Sequence, residues 1–428
     1  MAEEIQPVRG INDVLPAEIG AWQHFEAVTR ELLTAYGYEE IRVPVLERTE
    51  LFKRAIGEHT DVVGKEMYTF TDRGGDSLTL RPEATAGIVR ALISNRLLRG
   101  QRPKLWCLGP MFRHEAPQAG RYRQFWQVDV EAVGYAGPDV DAELIALSAR
   151  LWQRLGLGGL TLEINSLGTP ESRRAYRARL IEYFGQHESQ LDADSRRRLD
   201  GNPLRILDSK NPAMQQLIQG APLLTEHLDE ESREHFAALR SLLDGVGIGY
   251  RVNPRLVRGL DYYNRTVFEW ITAATSAQNA VCSGGRYDGL ITQLGGEATP
   301  AVGFAMGVER LVALLVAAGG VPAPAVPDVY VVVNGARAAA EALPLIERLR
   351  SERPQLRFEL NLGGGNFKAQ FRRADKSGAR LALIIGDDEL GRAVVAMKPL
   401  REESGQSECP IDSLAAGLDA ALAGLRSG

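Results

Sequence analysis

The chain has 428 residues, of which 44% are apolar and 25% are charged, and its formal net charge is −5. A single core rarely grows beyond about 250–300 residues, so this length predicts two or three domains. The composition is that of an ordinary globular protein. The acidic balance disfavours a protein whose whole surface coats nucleic acid, although it permits a local basic patch.

No segment predicts export, membrane insertion, a disulfide framework or a zinc site. The N-terminus, MAEEIQPVRG, carries two acids and no apolar run, unlike a secretory signal. The most apolar stretch, residues 311–320, is too short to span a bilayer. The cysteines (Cys107, Cys282 and Cys409) lie far apart and the six histidines are isolated, so buried thiols are expected, with a catalytic thiol left open. The predicted location is the cytoplasm.

The first elements predicted are a helix, two strands and a second helix. Apolar residues at helical spacing predict a helix over residues 15–36, which ends at Gly37. A short strand over 40–46 contains Pro44, which suits a sheet edge or an interface. Another strand, 77–80, leads into a helix that reaches about residue 98, with Glu83 or Thr85 as its candidate cap.

The middle of the chain predicts a hairpin followed by a helical insertion. Strands over 105–113 and 124–133 are joined by the loop 115–123, and a helix over 139–155 and a strand over 160–165 follow. Residues 170–243 are highly charged, helical in pattern and broken by prolines. Strand signals return at 249–253 and 261–271. An apolar helix is predicted over 306–318, opened by the glycine-containing stretch 303–307.

A proline-rich linker separates a small C-terminal domain. Residues 319–327 contain Pro322, Pro324 and Pro327, which is typical of a linker. Strands over 328–333, 357–360, 381–385 and 393–398, with helices between the first pairs, predict an α/β domain of roughly 100 residues. The predicted organisation is a core formed by 1–169 and 249–320, an insertion at 170–248, a linker at 321–327 and a last domain at 328–428.

Polar side chains gather on one face of the predicted hairpin. Because side chains alternate along a strand, Phe125, Gln127, Asp129 and Glu131 share a face, and Arg113 and Glu115 share a face of the partner strand. Arg113 can fork onto a phosphate. Glu115 can accept from an adenine amine or help to hold a metal, and Phe125 can stack on a base.

The remaining groups complete a nucleotide site. Arg121 and Arg123 lie in the connecting loop, where they can grip a polyphosphate, while Gln127 and Glu131 suit an ammonium or another cationic nitrogen. Arg310 can meet the terminal phosphate from the opposite side. The alternative is a solvated polar sheet face with surface salt bridges and, for Arg310, an ordinary pair with Glu309 on an amphipathic helix.

These motifs resemble a known family. FRHE at 112–115 with FWQ at 125–127 is similar to motif 2 of the class II aminoacyl-tRNA synthetases, the segment ending at Pro44 resembles the dimer-forming motif 1, and GFAMGVERL at 303–311 resembles motif 3. RGLDYYNRTVFEW at 258–270 and GGRYDGL at 284–290 resemble the two signatures of the histidyl-tRNA synthetases. TLRPEATA at 79–86 and LFKRAIGEHTDVV at 51–63 also match that family.

The resemblance implies both a fold and a reaction. The fold is an α+β catalytic core with an antiparallel sheet of the class II synthetase type, a helical insertion, and a C-terminal α/β anticodon-binding domain. The reaction uses ATP, with Mg²⁺ and no zinc, to activate L-histidine as histidyl-adenylate, and then transfers the histidyl group to the 3′ end of tRNA-His. A homodimer without membrane association is also implied.

Roles for individual residues follow from the same resemblance. Arg113 and Arg258 would be catalytic, neutralising phosphate oxygens, with Arg310 on the γ-phosphate. Glu131 would accept from the imidazole, with Tyr263 as the hydroxyl partner. The residues implied for histidine are Glu83, Thr85, Arg113, Gln127, Glu131, Arg258, Tyr262, Tyr263 and Tyr287, of which Glu83, Thr85 and Gln127 would hold the α-ammonium. The residues implied for ATP are Arg113, Glu115, Arg121, Tyr122, Phe125 and Arg310. Strand packing is the alternative for one tyrosine of the pair Tyr262 and Tyr263.

Contacts to tRNA are implied at two places. Gln118 lies in the motif 2 loop, which would approach the acceptor end, and Lys368, Arg372 and Lys376 are spaced four apart, which puts them in one stripe if the segment is helical. The chain departs from the family at Ala116 and Ala119 in that loop, where cations are frequent. It departs again at Trp126, which by alternation points away from the pocket, and at Ala369, which thins the basic stripe.

Two rival functions remain compatible with parts of the sequence. One is a non-catalytic, histidine-sensing relative of the type found as the regulatory subunit of ATP phosphoribosyltransferase, and the other is a tRNA-binding or sensor module. Relatives of the first type usually lack the C-terminal domain and lose parts of motif 2 or Arg258, whereas this chain keeps both. A pure binding module needs no intact ATP face.

Overall fold

The computed structural model describes residues 4–58, 60–118, 120–201, 203–207, 209, 211–273, 279–323, 325–402 and 405–425. Ala119 and Pro324, which the sequence singled out, lie outside these residues. The chain divides into two compact units, Met1–Pro322 and Ala323–Gly428.

Strands and helices alternate irregularly through the first unit. Its strands are β1 (Glu39–Glu40), β2 (Leu46–Arg48), β3 (Thr69–Thr71), β4 (Ser77–Leu80), β5 (Lys104–Phe112), β6 (Gln124–Val133), β7 (Leu160–Ser166), β8 (Arg251–Val252), β9 (Asn264–Thr272), β10 (Ala280–Arg286) and β11 (Ala301–Gly307). Its α-helices are α1 (Ile19–Ala35), α2 (Thr49–Ile56), α3 (Thr85–Ser94), α4 (Pro138–Arg154), α5 (Pro170–Gln186), α6 (Ala193–Gly201), α7 (Gln215–Gly220), α8 (Glu230–Gly245), α9 (Leu290–Gln293) and α10 (Val308–Ala317).

Eight strands of this unit form one large sheet, in the order β1-β5-β6-β11-β10-β9-β7-β8. The two outermost pairs are parallel and the inner pairs are antiparallel. A separate small sheet has the order β2-β4-β3. The antiparallel class II core predicted from the sequence is therefore confirmed.

The large sheet separates two hydrophobic clusters, and β6 shows how the sequence produces this arrangement. Val128, Val130 and Ala132 pack into a cluster with α1, α4 and α10, while Phe125 packs against the cluster on the other face. Since the period of a strand is two, the polar side chains between the valines face away from the first cluster. The functional face of β6 is thus set by simple alternation.

The region between β7 and β8 contains helices and short 3₁₀ turns, one of them at Pro203–Ile206. The start of α5 is signalled by Pro170 at its first turn and by Thr169, whose hydroxyl accepts from the Ser172 amide. Asp229 caps α8 in the same way, accepting from the Ser232 amide at 2.8 Å. These local signals explain why the segment is helical despite its charge.

The second unit has a five-stranded sheet. Its strands are β12 (Val329–Asn334), β13 (Phe358–Leu360), β14 (Leu381–Gly386), β15 (Val394–Pro399) and β16 (Ser407–Pro410), in the order β13-β12-β14-β15-β16. Its α-helices are α11 (Ala336–Glu352), α12 (Phe367–Lys376), α13 (Asp387–Gly391) and α14 (Leu414–Gly424). Helices and apolar clusters cover the sheet, as the predicted α/β domain requires.

Three sequence-based predictions of elements are wrong. Residues 303–307 do not open a helix but form the end of β11, and the helix begins at Val308. The predicted strand 40–46 is two short strands that belong to different sheets. Strand β9 begins at Asn264, three residues later than predicted from residue 261. Strand β10 was missed, because its Gly284 and Gly285 weaken the strand signal in the sequence.

Candidate active site

One cavity of about 850 Å³ lies over the large sheet of the first unit. Its walls come from β6, β9, β10 and β11 together with the segments around residues 83–85 and 255–263. Arg123, which was also predicted to grip a polyphosphate, is not among the residues that line it and donates instead to the Glu115 carbonyl at 3.3 Å. Every residue that the resemblance implies for histidine or ATP does line it. These are Glu83, Thr85, Arg113, Glu115, Arg121, Tyr122, Phe125, Gln127, Glu131, Arg258, Tyr262, Tyr263, Tyr287 and Arg310.

The closed end of the cavity is built around the carboxylate of Glu131, which is 1% exposed. The hydroxyl of Thr85 donates to one of its oxygens at 2.6 Å, and the hydroxyl of Tyr287 donates to the other. Burial raises the pKa of Glu131 to about 8, while these two hydrogen bonds act in the opposite direction. Tyr287 is thus the hydroxyl partner of this carboxylate, while Tyr263, predicted as the hydroxyl partner of the imidazole, lines the same cavity and keeps that role as a prediction.

Other buried acceptors surround Glu131. One oxygen of Glu83 accepts from the Ala86 amide at 2.9 Å and thereby caps α3. The other oxygen of Glu83, the amide oxygen of Gln127 and both oxygens of Asp129 are buried and have no hydrogen-bond partner within the described part of the chain. Because buried acceptors are normally paired, this set suits a ligand that brings several donors. Asp129 was placed on the polar face by the sequence but given no role.

The buried carboxylates predict a pH effect on the stability of the free protein. Burial, with Glu83 adding repulsion at Asp129, raises the pKa of Asp129 to about 8 and burial raises that of Glu131 to about 8. The folded state therefore holds protons that the unfolded state has lost, so stability falls as the pH rises towards about 8. Thermal unfolding between about pH 6 and about pH 8 should show this decrease, and Asp129→Asn should reduce it. A melting temperature that rises over this range in the wild type would contradict the assignment.

The open end of the cavity is cationic. Arg113 follows β5, donates to the Pro82 carbonyl at 2.9 Å and lies over the Phe125 ring, with its guanidinium carbon 5.3 Å from the ring centroid. Arg121 pairs with Glu115 at 3.0 Å. Burial, followed by repulsion from Arg121, lowers the pKa of Arg310. Cations that repel one another in a partly buried site are stabilised by a polyanion.

Arg310 and Glu309 are held by separate partners at the start of α10. Arg310 donates to the carbonyls of Gly120 and Ala280, at 3.0 and 2.6 Å. The Glu309 carboxylate accepts from the Trp126 amide at 2.9 and 3.1 Å, and burial raises its pKa to about 7. The Trp126 ring packs edge-on against Trp22, outside the cavity, as its position in the strand predicted.

Arg258 and three tyrosines form the wall opposite β6. The Arg258 guanidinium donates to Glu269 on β9 and lies 5.8 Å from the centroid of the Tyr263 ring. The ring of Tyr262 contacts those of Tyr263 and Tyr287, with centroids 4.6 and 5.6 Å apart. The wall is therefore aromatic, with one cation that is 19% exposed at its side chain.

A buried network behind this wall was not recognised in the sequence. Arg286, fully buried, donates to Asp141 at 2.9 Å, to Asp288 at 2.9 Å, and to the carbonyls of Tyr135 and Gly137. Asn264 donates in turn to Asp288 at 2.9 Å. These bonds fix the residues that flank Tyr287. The signal was present, since Arg286 and Asp288 belong to the GGRYDGL segment, but only Tyr287 was given a role.

The residues predicted to contact tRNA lie outside the cavity. Gln118 forms an isolated β-bridge with Arg121 in the motif 2 loop. Lys368, Arg372 and Lys376 are exposed along α12, whose first turn is capped by Asn366. The neighbouring cations have other partners: Arg373 donates to Asn361, and Arg380 to the carbonyls of Leu422 and Leu425.

The described residues contain neither a cluster of metal ligands nor a membrane-spanning helix. Within those residues, no three His, Cys, Asp or Glu side chains are grouped so that they could hold a metal ion. None of the helices in the described ranges is both long and apolar enough to cross a membrane.

Comparison with known proteins identifies the family. Residues 10–311 match the family model of histidyl-tRNA synthetase, and residues 328–420 match that of the anticodon binding domain. The apo histidyl-tRNA synthetase of S. aureus is 35% identical, with a TM-score of 0.81 over 97% of this chain and 100% of that one.

Two more distant structures share the fold. A histidyl-tRNA synthetase from Nostoc sp. is 21% identical, with a TM-score of 0.66 over 98% of this chain and 100% of that one. A Bacillus halodurans protein named as an ATP phosphoribosyltransferase regulatory subunit/histidyl-tRNA synthetase is 22% identical, with a TM-score of 0.64 over 90% and 99% of the two chains. Since the first family model spans most of the chain, the chain belongs to the histidyl-tRNA synthetase family.

Proposed function

We propose that this chain is a histidine–tRNA ligase that activates L-histidine with ATP and transfers the histidyl group to the 3′ end of tRNA-His. The observation that carries the proposal is a single cavity with buried carboxylates at one end and three arginines at the other. An amino acid with an α-ammonium group and a side-chain N–H donor fits the first end, and a triphosphate fits the second. The family match over residues 10–311 supports the same reaction.

At the closed end the donors of histidine meet the buried acceptors. Its α-ammonium group has three donors, and Glu83, Gln127 and the hydroxyl of Thr85, which line the cavity, would accept them. An imidazole N–H would donate to Glu131, which Thr85 and Tyr287 already orient by hydrogen bonds. A side chain without the imidazole donor would leave Glu131 poorly paired, and such buried groups discriminate strongly between substrates.

The first chemical step joins the histidine carboxylate to the α-phosphate. A carboxylate oxygen attacks the α-phosphorus, the bond to the β-phosphate bridging oxygen breaks, and pyrophosphate leaves with the electron pair. Arg113 and Arg258 would neutralise the charge that develops on the α-phosphate oxygens, and Arg310 would hold the γ-phosphate. Mg²⁺ enters with ATP and neutralises phosphate charge. Phe125, over which Arg113 lies, offers a face on which adenine can stack.

In the second step a ribose hydroxyl oxygen of the tRNA attacks the histidyl carbonyl carbon, the bond from that carbon to the phosphate oxygen breaks, and AMP leaves with the electron pair while the hydroxyl loses its proton. The cationic stripe Lys368, Arg372 and Lys376 on α12 is proposed to contact the phosphates of the tRNA, since the three side chains are exposed and lie in the domain that matches the anticodon-binding family. Gln118 is proposed to contact the acceptor end. The departure at Ala116 would weaken that contact, because no cation stands there.

Homodimerisation and cytoplasmic residence also remain proposals. The small sheet formed by β2, β4 and β3 leaves Leu46 and Phe70 38% and 47% exposed, and the adjacent Val45 is 36% exposed. Exposed apolar side chains that lie close together are typical of a protein interface. A second copy of the chain is the proposed occupant, since the segment that resembles the dimer-forming motif 1 ends at Pro44, directly before Val45 and β2.

Histidine-dependent exchange of labelled pyrophosphate into ATP tests the function directly. The purified protein should catalyse this exchange with histidine and not with other amino acids, because only adenylate formation makes pyrophosphate release reversible. It should then charge tRNA-His. Binding of histidine without any exchange would refute the enzyme and favour the regulatory relative instead.

A further inference from the structure

The loop that carries Arg258 is tied to the helical insertion. Residues 253–263 contain no helix or strand, so their conformation depends on contacts from outside. Arg205, in the 3₁₀ turn Pro203–Ile206 of the insertion, donates to the carbonyl of Gly259 at 2.9 Å. Gly259 is the residue directly after Arg258. The contact therefore fixes the backbone next to the guanidinium that is proposed to act on the α-phosphate.

The Arg205 guanidinium also reaches a second wall of the cavity. Another nitrogen of Arg205 donates to the Asp61 carboxylate at 3.1 Å, and Arg198 on α6 donates to the same oxygen at 3.3 Å. Asp61 precedes the π-helical turn Val62–Glu66, which lines the cavity. Because a guanidinium is a planar fork with several fixed donors, Arg205 sets the distance between these two walls.

The far end of the loop is held in the same manner. Arg173, on α5, donates to the carbonyl of Tyr263, and burial lowers its pKa. The side chain of Arg205 is 18% exposed. Both arginines therefore belong to the insertion, are largely removed from water, and bind backbone atoms of the active-site loop at positions 259 and 263.

We propose that Arg205 and Arg173 are positioning residues for the adenylation step, and that the helical insertion is in this sense part of the active site. The proposal rests on the function proposed above for Arg258. Positioning supplies most of the rate in a reaction without a covalent enzyme intermediate, and a displacement of about 1 Å can cost about a hundredfold. The contacts act on the loop that carries Arg258, so the rate of adenylate formation is affected more than ground-state binding.

Arg205→Ala tests the proposal through histidine-dependent pyrophosphate exchange. The expected result is a decrease in kcat on the order of tenfold or more, with KM for histidine and for ATP changed less than about threefold. Arg197→Ala is the matched control, since Arg197 is an exposed arginine of the same subdomain that pairs only locally with Asp194 in the described contacts, and it should leave the exchange unchanged. Arg205→Lys keeps the positive charge but loses the planar guanidinium with its several donors. A kcat between those of the wild type and Arg205→Ala is therefore expected.

Several outcomes would overturn the proposal. Equal kcat in Arg205→Ala and Arg197→Ala would do so, as would a loss confined to KM. The rate of single-turnover adenylate formation in an Arg258→Ala background gives a further criterion. In that background Arg205→Ala should lower the rate only slightly. A decrease as large as the one it causes in the wild type would show that Arg205 does not act through Arg258. If Arg205→Ala does not fold, Arg205→Lys carries the same criteria. Absence of exchange in the wild type would instead refute the proposed function.

Discussion

Arg258→Ala is expected to reduce histidine-dependent pyrophosphate exchange by about 10²–10³-fold, the usual effect of removing one preorganised donor to a developing negative charge. Arg258 lies beside the three tyrosines, with its guanidinium carbon 5.8 Å from the centroid of the Tyr263 ring, and it lines the cavity. The loss should fall mainly on kcat, since the charge it stabilises develops in the transition state. Steady-state exchange kinetics measure the effect, and normal exchange would refute the assigned role.

A second variant separates catalysis from folding at this position. Removing Arg258 leaves the Glu269 carboxylate partly buried without its cation, with the Ser283 hydroxyl still donating to it at 3.3 Å, so some loss of stability is expected as well. Glu269→Gln in the same chain should restore thermal stability without restoring exchange. Arg251→Ala, at an exposed arginine on β8, serves as the control and should retain both. Recovery of exchange in the double variant would show that the first loss was a folding defect.

Gly303→Ala is expected to weaken histidine binding, because Gly303 pairs with Glu131 across β11 and β6. A Cβ at position 303 would lie 1.6 Å from a Glu131 oxygen and 2.6 Å from the Val130 carbonyl oxygen. Glu131 would have to leave its hydrogen bonds to Thr85 and Tyr287. Calorimetric titration with histidine should show affinity weakened by at least about tenfold, and overpacking should destabilise the fold by about 1–3 kcal/mol.

Gly289→Ala supplies the matched comparison for this effect. A Cβ at Gly289 would meet no atom within 4 Å, and its φ of −86° suits any residue. This substitution should leave histidine affinity and stability close to those of the wild type. Histidine binding by Gly303→Ala equal to that of Gly289→Ala would mean that Glu131 is not the group that recognises the substrate.

The β5–β6 hairpin shows what local sequence determines. Alternation along residues 124–133 separated Gln127 and Glu131 from Val128 and Val130, and the structure confirms both faces. The polar face was informative because a strand period of two is a property of the backbone, independent of the rest of the fold. Helix starts carry a local signal of the same kind, since capping side chains such as Thr169 and Asn366 act within one turn.

Strand β11 shows where local sequence was insufficient. Glycines over residues 303–307 indicated close approach of some group, and the resemblance to motif 3 singled out Arg310, which lines the cavity, yet the stretch was taken as the opening of a helix. Only the pairing of β11 with β6 and β10 shows that the missing side chain of Gly303 leaves room for the Glu131 carboxylate. Propensity disfavours glycine in a strand, and tertiary packing overrides that preference here.

By itself the sequence determined the two-part organisation, the helical character of the insertion and the polar face of β6, and through the resemblance it named part of the cavity lining. Tertiary structure decided which residues touch: that Tyr287 binds Glu131, that Arg258 pairs with Glu269, and that Arg205 holds Gly259. The physical reason is the distance along the chain over which each kind of signal acts. Periodicity and capping act over a few residues, whereas these contacts join side chains that are distant in the chain or lie in a loop of irregular backbone, where no period predicts their direction.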